Sequence, residues 1–240
     1  MIISNTAIPR HVVVIPDGNR RWARKKGLKP WIGHQEGAKN FELVLEKAAE
    51  MKIPYLTFWA GSLDNLTKRP KMEVNFLFQV YKNYFEKTIG DERIHKNQVK
   101  ISVLGRWKEI LPPKVKEPIE KAMATTKNYH QFFLTFLIAY NGTDEMLDCV
   151  RKIVKLSNPY PLKITEKTIK ENLWTKDLPD VDLIIRTGCA NDPHNSAGFM
   201  MWQTAYSQFY FTKTLFPDFT AKDFEKIIKN YSFRQRRFGK

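Results

Sequence analysis

The chain has 240 residues, with 40 Lys and Arg against 25 Asp and Glu, which gives a formal net charge of +15. Apolar residues make up 42% and aromatic residues 13%, enough for a hydrophobic core, so the composition excludes a disordered chain. The longest apolar stretch, residues 132–140, is too short to span a bilayer, and two cysteines exclude a disulfide framework or a zinc cluster. The N-terminal residues predict no secretory signal. We therefore expect a cytoplasmic protein with a single domain over residues 1–240.

The apolar pattern alternates between strand and helix along the chain. Short apolar runs rich in β-branched residues predict strands at residues 11–15, 55–60, 99–104, 132–140, 181–185 and 208–211. Helical spacing predicts helices at residues 41–49, 77–84, 115–124, 144–156 and 221–231, with Thr220 as the N-cap of the last. Residues 61–70 are predicted to be a polar loop. Strands separated by helices indicate βαβ units, so the expected fold is α/β with a mainly parallel central sheet flanked by helices.

The positive charge is concentrated in two segments. Residues 20–39 contain seven basic residues and one acid, and the basic residues Arg234, Arg236, Arg237 and Lys240 close the chain. This distribution predicts an anionic partner, which composition alone leaves open between nucleic acid, a phosphorylated small molecule and an anionic membrane.

The loop after the first predicted strand has the residue types of an anion site. Residues 16–22 read PDGNRRW, in which a glycine allows close backbone approach and arginines add charged donors at the start of a helix. Asp17 in this positive setting would be repelled by a phosphate unless a cation such as Mg²⁺ lay between them. A metal-diphosphate site is one reading. A plain strand-to-helix turn with Asp17 as N-cap is the other.

Sequence motifs along nearly the whole chain are similar to those of the cis-prenyltransferases, the family of undecaprenyl diphosphate synthase. They comprise Ser62, Asn65, Arg69 and Glu73 together with the segments HVVVIPDGNRRWARKKG (11–27), GHQEG (33–37), AYNG (139–142), DLIIRTG (182–188) and RRFG (236–239). The resemblance implies an enzyme that condenses isopentenyl diphosphate with an allylic diphosphate and forms a new Z double bond at each step.

The same resemblance implies roles for individual residues. Asp17 would hold Mg²⁺ and assist departure of the leaving group. The allylic diphosphate would be bound by Gly18, Asn19, Arg20 and Arg21, with His34 beside it and Trp22 helping to wall the site. Asn65 and Arg69 would orient isopentenyl diphosphate, with Asn65 taking part in proton removal, and Arg186 would clamp its diphosphate. Ser196 stands for the serine that the family uses there, and Ser62 is a further substrate-binding residue. The tail residues Arg237 and Gly239 would reach the substrate of a neighbouring subunit, which implies a homodimer. A hydrophobic product tunnel would run along residues 41–51 and 76–85.

The chain departs from the family pattern at several of these places. Gln208 stands where a glutamate usually helps to hold magnesium, and an amide is a poorer ligand for that ion. The segment after Arg186 is longer by three residues and lacks a second arginine, which leaves the register of Ser196 open. Pro30, beside Lys29, replaces an arginine, and Leu66 replaces a tryptophan.

These departures leave alternatives to an active synthase that uses a farnesyl or geranylgeranyl primer. One is a relative with altered chemistry, such as a single condensation or a different acceptor, and another is a non-catalytic partner subunit. Nucleic-acid binding is permitted by the charge but ranks last, because none of its familiar motifs is present, and we expect no nucleic-acid partner. The basic surface and a lipid product also suggest peripheral contact with the inner face of a membrane.

Overall fold

Six parallel strands form one sheet in the computed structural model, which describes residues 8–157, 159 and 163–234. They are β1 (His11–Ile15), β2 (Tyr55–Gly61), β3 (Val99–Leu104), β4 (Phe132–Ile138), β5 (Leu183–Arg186) and β6 (Gln208–Phe211). Across the sheet the order is β3-β4-β2-β1-β5-β6, and every neighbouring pair is parallel. Because β1 lies between β2 and β5, the segments that follow these three strands meet at one edge of the sheet.

Helices cover the sheet and connect its strands. They are α1 (Asn19–Lys25), α2 (Pro30–Glu50), α3 (Leu63–Lys68), α4 (Lys71–Ile89), α5 (Glu92–Lys96), α6 (Trp107–Ile110), α7 (Pro113–Thr125), α8 (Gly142–Leu156), α9 (Glu166–Asn172) and α10 (Ala221–Ser232). A single 3₁₀ turn, Phe216–Asp218, precedes α10. Within the described ranges, none of these helices combines the length and the apolar character needed to cross a membrane.

The alternation of side chains along β1 explains why both faces of the sheet are covered. All five residues of this strand are buried. Val12 and Val14 belong to a core that includes apolar residues of α2, α4, α7 and α10. Val13 and Ile15 point to the opposite face, where they join a second core with Phe199. A strand buried on both faces explains the continuous β-branched run of the sequence.

The predicted α/β fold is confirmed, but several elements have other bounds than predicted. The helix expected at residues 41–49 begins at Pro30, and the one expected at residues 77–84 spans Lys71–Ile89. β4 ends at Ile138 rather than at residue 140, and β5 spans Leu183–Arg186 rather than residues 181–185. Thr220 caps α10 as expected, because its side chain accepts a hydrogen bond from the backbone N–H of Asp223. The short helices α5, α6 and α9 were not anticipated, since segments of four to seven residues carry too little apolar periodicity to be recognised.

The prediction of a polar loop at residues 61–70 was wrong, because this segment contains α3. Ser62 is the N-cap of α3, and its Oγ accepts a hydrogen bond from the backbone N–H of Asn65 at 3.0 Å. Leu66 is the one residue of α3 that is buried, so the helix leaves no apolar repeat in the sequence. Because α3 is helical, Ser62, Asp64 and Asn65 lie at the edge of the sheet where β1, β2 and β5 end.

His11 connects the first strand to its neighbours through a fully buried ring. Its Nδ1 lies 2.9 Å from the carbonyl oxygen of Pro179, and its Nε2 lies 2.8 Å from Oγ1 of Thr57. Burial lowers the pKa of His11 from 6.5 to about 4, so the imidazole is neutral in the folded protein at neutral pH.

We therefore expect acid to destabilise the fold through His11. Below about pH 6.5, His11 is protonated in the unfolded chain but stays neutral in the folded chain. The free energy of unfolding therefore falls as the pH approaches 4, by up to about 3 kcal/mol. Chemical denaturation across this pH range checks the effect, with His11→Gln as the variant that has no imidazole to titrate. Identical pH dependence in the two proteins would show that His11 does not carry the effect.

Candidate active site

A polar cavity of about 500 Å³ lies where β1, β2 and β5 end. Eleven of the residues predicted to form a site line this cavity: Asp17, Gly18, Asn19, Arg20, Arg21, His34, Ser62, Asn65, Arg69, Arg186 and Ser196. With Arg24, five arginines line the cavity, against the carboxylates of Asp17 and Asp64. The excess of guanidinium groups suits the cavity to anions, and above all to phosphates.

Asp17 lies between two of these arginines. Nη2 of Arg21 donates to its Oδ1 at 3.1 Å, and Nη2 of Arg186 donates to its Oδ2 at 3.0 Å. The alternative in which Asp17 caps the following helix is wrong, because the N-cap of α1 is Gly18 and no side chain caps this helix. The carboxylate is 34% exposed, so it remains open to the cavity while the arginines hold it in place.

Arg186 is the last residue of β5 and is almost fully buried, with 8% of its side chain exposed. Nη1 donates to the carbonyl oxygen of His194 and to Oγ of Ser196, both at 2.9 Å, while Nη2 contacts Asp17. These bonds fix the register of the long segment after β5 and bring Ser196 to the cavity. Among the described residues, nothing accepts a hydrogen bond from the buried Nε of Arg186.

Backbone conformation brings α1 close to the cavity. Gly18 has a φ of +104°, and a Cβ at this position would collide with Leu215, so the turn into α1 requires glycine. The first N–H groups of a helix have no helical carbonyl to bond, and here they belong to Asn19, Arg20 and Arg21. They provide backbone donors beside the arginine side chains.

Two glycines of α2 let this helix pack directly on the same turn. A Cβ at Gly33 would overlap the carbonyl oxygen of Asn19, and one at Gly37 would overlap Oδ1 of Asn19. Nδ2 of Asn19 in turn donates to the carbonyl oxygen of Pro16 at 3.1 Å. The turn after β1 and the start of α2 therefore form one closely packed unit.

Glu73 is a buried carboxylate that joins three predicted site residues. Its Oε1 lies 3.1 Å from Nε2 of His34, 3.0 Å from Nη1 of Arg69 and 3.5 Å from Nε of Arg20. Burial alone would raise the pKa of Glu73, but the hydrogen bond with His34 and the charges of Arg69 and Arg20 outweigh it and lower that pKa. The carboxylate is therefore ionised at neutral pH and neutralises the arginines around it.

The imidazole of His34 is buried beside this carboxylate. Burial lowers the pKa of His34, with the neighbouring Arg69 acting in the same direction and Glu73 opposing it. His34 is thus neutral near pH 7, and it connects α2 to Glu73 on α4.

Glu73 is one of the residues that match the family motifs, but the resemblance implied no role for it. The available signal was its spacing, because Arg69 and Glu73 are four residues apart at the start of a helix.

Three of the predicted site residues are not placed at the cavity. The indole of Trp22, expected to wall the site, is buried instead against Leu215, and its Nε1 donates to Oδ1 of Asp218 at 2.6 Å. This tryptophan anchors α1 from behind the site. Arg237 and Gly239 lie outside the described residues, so the expected contact of the tail with a neighbouring subunit stays a prediction.

The departures from the family pattern also have defined positions. Gln208 opens β6, does not line the cavity, and accepts a hydrogen bond at Oε1 from Nη1 of Arg234 at 3.3 Å. Pro30 is the first residue of α2, a position that favours proline, with Lys29 as the N-cap. Neither substitution disturbs the lining of the cavity.

Two apolar cavities lie along the helices where the product tunnel is expected, and the tunnel itself stays a prediction. The upper one, of about 70 Å³, lies between α2, α4 and the sheet and shares Asn19 and His34 with the polar cavity. The lower one, of about 380 Å³, lies at the opposite end of the strands. Tyr84 lines both.

Asp17 is the carboxylate suited to a divalent cation. No cluster of three or more His, Cys, Asp or Glu side chains able to hold a metal occurs in the part of the chain that the structure describes. Mg²⁺ is commonly held by one or two carboxylates together with substrate phosphates rather than by a protein cage. The open carboxylate of Asp17, among phosphate-binding groups, fits that mode of binding.

Comparison with known proteins agrees with this geometry. Residues 15–239 match the family model described as "Putative undecaprenyl diphosphate synthase". The chain belongs to the undecaprenyl diphosphate synthase family. It is 40% identical over 236 residues to a tritrans,polycis-undecaprenyl-diphosphate synthase (geranylgeranyl-diphosphate specific) of Thermococcus kodakarensis, covering 97% of this chain and 88% of that protein. It is also 40% identical over 233 residues to an isoprenyl transferase of Thermotoga maritima, covering 97% of each.

A solved structure extends the similarity to three dimensions. Lavandulyl diphosphate synthase from Lavandula x intermedia, in complex with dimethylallyl diphosphate, superposes with a TM-score of 0.90 at 31% identity. The match covers 97% of this chain and 99% of the plant protein. Membership of the undecaprenyl diphosphate synthase family makes this chain an enzyme that transfers prenyl groups, which confirms the expected family and reaction class.

We expect Glu73 to be a determinant of stability as well as of site geometry. Glu73→Ala leaves two arginines facing each other without their carboxylate, so the free energy of unfolding should fall by about 3 kcal/mol. Glu86→Ala is the matched control on the same helix, because Glu86 is exposed and pairs only with Lys82 in the described chain.

Urea denaturation of both variants measures the difference. The control should change the free energy of unfolding by less than about 0.5 kcal/mol. If the Glu73→Ala protein were as stable as the Glu86→Ala protein, Glu73 would not be a determinant of stability.

Proposed function

We propose that this enzyme condenses isopentenyl diphosphate with an allylic diphosphate of farnesyl or geranylgeranyl type to give a Z-polyprenyl diphosphate. One observation carries the proposal: five arginines and the partly exposed Asp17 line a single cavity, and an apolar space shares Asn19 and His34 with it. Two diphosphates and one growing hydrocarbon chain require such an arrangement. The name of the Thermococcus relative favours geranylgeranyl diphosphate as primer.

The reaction requires charge stabilisation at one end and proton removal at the other. A carbon–carbon bond forms between C4 of isopentenyl diphosphate and C1 of the allylic substrate, whose bond to the diphosphate oxygen breaks. A proton then leaves C2 of the isopentenyl unit, and the new double bond forms in the Z configuration. Groups that bind the departing diphosphate more tightly as its charge develops lower the barrier.

The residues after β1 are proposed to hold the allylic diphosphate. The backbone N–H groups at the start of α1 and the side chains of Arg20 and Arg21 surround the cavity beside Asp17. Mg²⁺ held by Asp17 and the substrate phosphates would neutralise the charge that develops on the leaving diphosphate. His34 stays neutral and positions this end of the cavity through Glu73.

The residues after β2 and β5 are proposed to hold isopentenyl diphosphate. Arg186 and Ser196 form one binding pair, already joined by a hydrogen bond of 2.9 Å. Arg69, held by Glu73, faces the same cavity from α3, and Asn65 lies one helical turn before it. We assign Asn65 a part in proton removal, since it lines the same cavity as the arginines and Asp17.

A second candidate function is a single condensation that yields a short product. The small volume of the upper apolar cavity favours it, and the solved plant relative binds dimethylallyl diphosphate, an allylic substrate with five carbons. The length of the product distinguishes the two candidates. Chromatography of labelled products separates them directly.

We further propose that the protein is a homodimer. The tail motif with Arg237 and Gly239 supports this, and so does an exposed apolar stripe on α8 formed by Leu147, Val150 and Val154. Sedimentation equilibrium tests the proposal, with Val150→Glu as the variant expected to weaken self-association. A monomeric wild-type protein at micromolar concentration would rule the dimer out.

We propose a cytoplasmic location with peripheral contact at the inner membrane face. Leu28, which is 41% exposed, lies in the sequence among the exposed basic residues Arg24, Lys25, Lys26 and Lys29, a combination that suits an anionic membrane surface. Binding to phosphatidylglycerol vesicles at low salt, lost on replacing the lysines with glutamate, is the expected result. No sedimentation with vesicles would refute it.

Asp17→Asn tests the proposed reaction. The amide keeps the size of the side chain but loses the charge that holds Mg²⁺ and balances the arginines, so elongation should fall by about 100-fold or more. The assay measures incorporation of labelled isopentenyl diphosphate with geranylgeranyl diphosphate and Mg²⁺, and it is repeated with a chelator.

Asp64→Asn is the matched control. Asp64 lines the same cavity, but its carboxylate is half exposed and pairs with Lys68 at 3.0 Å, so its loss should change the rate by less than about threefold. Full activity of the Asp17→Asn variant would refute the proposal that Asp17 holds Mg²⁺. No product from the wild-type protein with any allylic primer would leave a non-catalytic subunit as the better description.

A further inference from the structure

The turn after β4 belongs to the sequence motifs of the family, yet it forms no part of the polar cavity. Its residues, AYNG at positions 139–142, connect β4 to α8, and none of them is among the described residues that line that cavity. They contact two segments that do line it, the start of α3 and the segment around Ser196. These segments carry Asn65 and Ser196, two of the residues proposed to act on isopentenyl diphosphate.

Asn141 occupies the N-cap position of α8 but does not cap that helix. Asparagine is among the best N-cap residues, because its side-chain oxygen can accept a hydrogen bond from the first turn. Here no side chain caps α8, and Oδ1 of Asn141 instead accepts a hydrogen bond from the backbone N–H of Leu63 at 3.2 Å. Leu63 is the first residue of α3. The side chain of Asn141 thus stabilises a helix that lies 78 residues away in the sequence.

This hydrogen bond fixes one end of α3, and an ion pair fixes the other. At the start of the helix, the N–H of Leu63 has no helical acceptor and bonds to Asn141. At the end, the C-cap residue Arg69 pairs with the buried Glu73. Loss of the Asn141 side chain would therefore free the start of α3, with Asn65, to move relative to the end that Arg69 holds.

The turn that carries Asn141 is itself bonded on two sides. The N–H of Tyr140 donates to the carbonyl oxygen of Gly61 at 3.2 Å, and Nε1 of Trp59 donates to the carbonyl oxygen of Tyr140 at 3.1 Å. The hydroxyl of Tyr140 donates to the buried carboxylate of Glu145, which also accepts bonds from the N–H and Oγ1 of Thr175 at 2.8 and 2.7 Å. The turn is thus fixed to β2 through its backbone and to α8 through the side chain of Tyr140.

The residue after Asn141 packs on the backbone of the second segment. A Cβ at Gly142, the first residue of α8, would lie 1.8 Å from the carbonyl oxygen of Gly198. Beside it, the N–H of Thr143 donates to the carbonyl oxygen of Ala197 at 3.2 Å. Ala197 follows Ser196 directly, and both line the polar cavity. The start of α8 is therefore in backbone contact with the segment that presents Ser196.

We propose that Asn141 is a positioning residue for isopentenyl diphosphate, because it holds α3 and Asn65 in place relative to the segment of Ser196. The proposal rests on the proposed function, since it concerns the second substrate of that reaction. The allylic side of the cavity is held by a different contact, that of Asn19 with the two glycines of α2. A defect at Asn141 should therefore act on one substrate and spare the other.

Asn141→Ala tests this role. Because the N–H of Leu63 loses its acceptor, the KM for isopentenyl diphosphate should rise by about tenfold, while that for geranylgeranyl diphosphate should stay within about twofold of wild type. Asn141→Asp keeps an accepting oxygen at the same place, so it should restore the KM for isopentenyl diphosphate to within about threefold of wild type. Steady-state kinetics with each substrate varied in turn measures both constants. A loss of folded enzyme alone would leave both KM values unchanged.

Removal of the donor is a second, independent test. Leu63→Pro deletes the N–H at the first position of α3, where proline is favoured, and Ser62 already has the extended ψ of 161° that suits the residue before a proline. This variant alone should raise the KM for isopentenyl diphosphate, and it decides the matter if thermal melting shows Asn141→Ala to be unfolded. Adding Asn141→Ala to Leu63→Pro should raise this KM no further, because the hydrogen bond is already absent.

Asn172→Ala is the matched control. Nδ2 of Asn172 donates to the carbonyl oxygen of Thr168 at 2.9 Å, so this variant also loses a hydrogen bond between an asparagine side chain and the backbone. Asn172 lies on α9 and is not among the described residues that line the polar cavity. Both KM values should stay within about twofold of wild type.

The kinetic pattern separates the role of Asn141 from the reaction itself. Unchanged KM values, or equal rises in both, in the folded Asn141→Ala protein would overturn the role and leave the condensation in place. Equal defects in the Ala and Asp variants, or multiplied effects of Asn141→Ala and Leu63→Pro, would overturn it as well. If the wild-type protein incorporates no isopentenyl diphosphate with any allylic primer, this role and the proposed function both fall.

Discussion

The arrangement of the polar cavity depends on one buried carboxylate. Glu73 lies on α4, yet it contacts Arg20 from α1, His34 from α2 and Arg69 from the end of α3. A buried charge is stable only when partners of opposite charge or hydrogen-bond donors surround it. The contacts that stabilise the carboxylate of Glu73 therefore also fix the positions of these three side chains. Glu73 thus holds groups from three separate helices in a fixed geometry, because each of them helps to neutralise its buried charge.

A second carboxylate has a complementary role on the open side of the cavity. Asp17 is held by Arg21 and Arg186, but it stays partly exposed, whereas Glu73 is closed off. The first of these acids is open to groups that enter the cavity, and the second is not. Two identical chemical groups therefore serve different purposes, because their exposure differs. This division explains how a strongly basic cavity remains ordered before an anionic substrate arrives.

The sequence predicted the sheet and its longer helices, because β-branched runs alternate with segments of helical spacing. Most of the residues that line the cavity were implied by the family resemblance instead. The sequence could not predict α3, whose helical turn is set by the Ser62 cap and leaves only Leu66 buried. Nor could it place Trp22, since an aromatic residue beside a phosphate loop suits a wall and an anchor equally well. The register of Ser196 also required the structure, because only the contact with Arg186 distinguishes it from its neighbours in an irregular segment.

The two glycines of α2 that face Asn19 have a consequence for how the molecule can deform. With no side chain between them, the helix backbone rests directly on the turn that carries Asp17, so these parts move as one body. Any widening of the apolar space must come from the opposite wall, α4, whose contacts with α2 are made through side chains that can rotate. A change in the apolar space that accommodates the hydrocarbon chain therefore need not disturb the turn that binds the diphosphate.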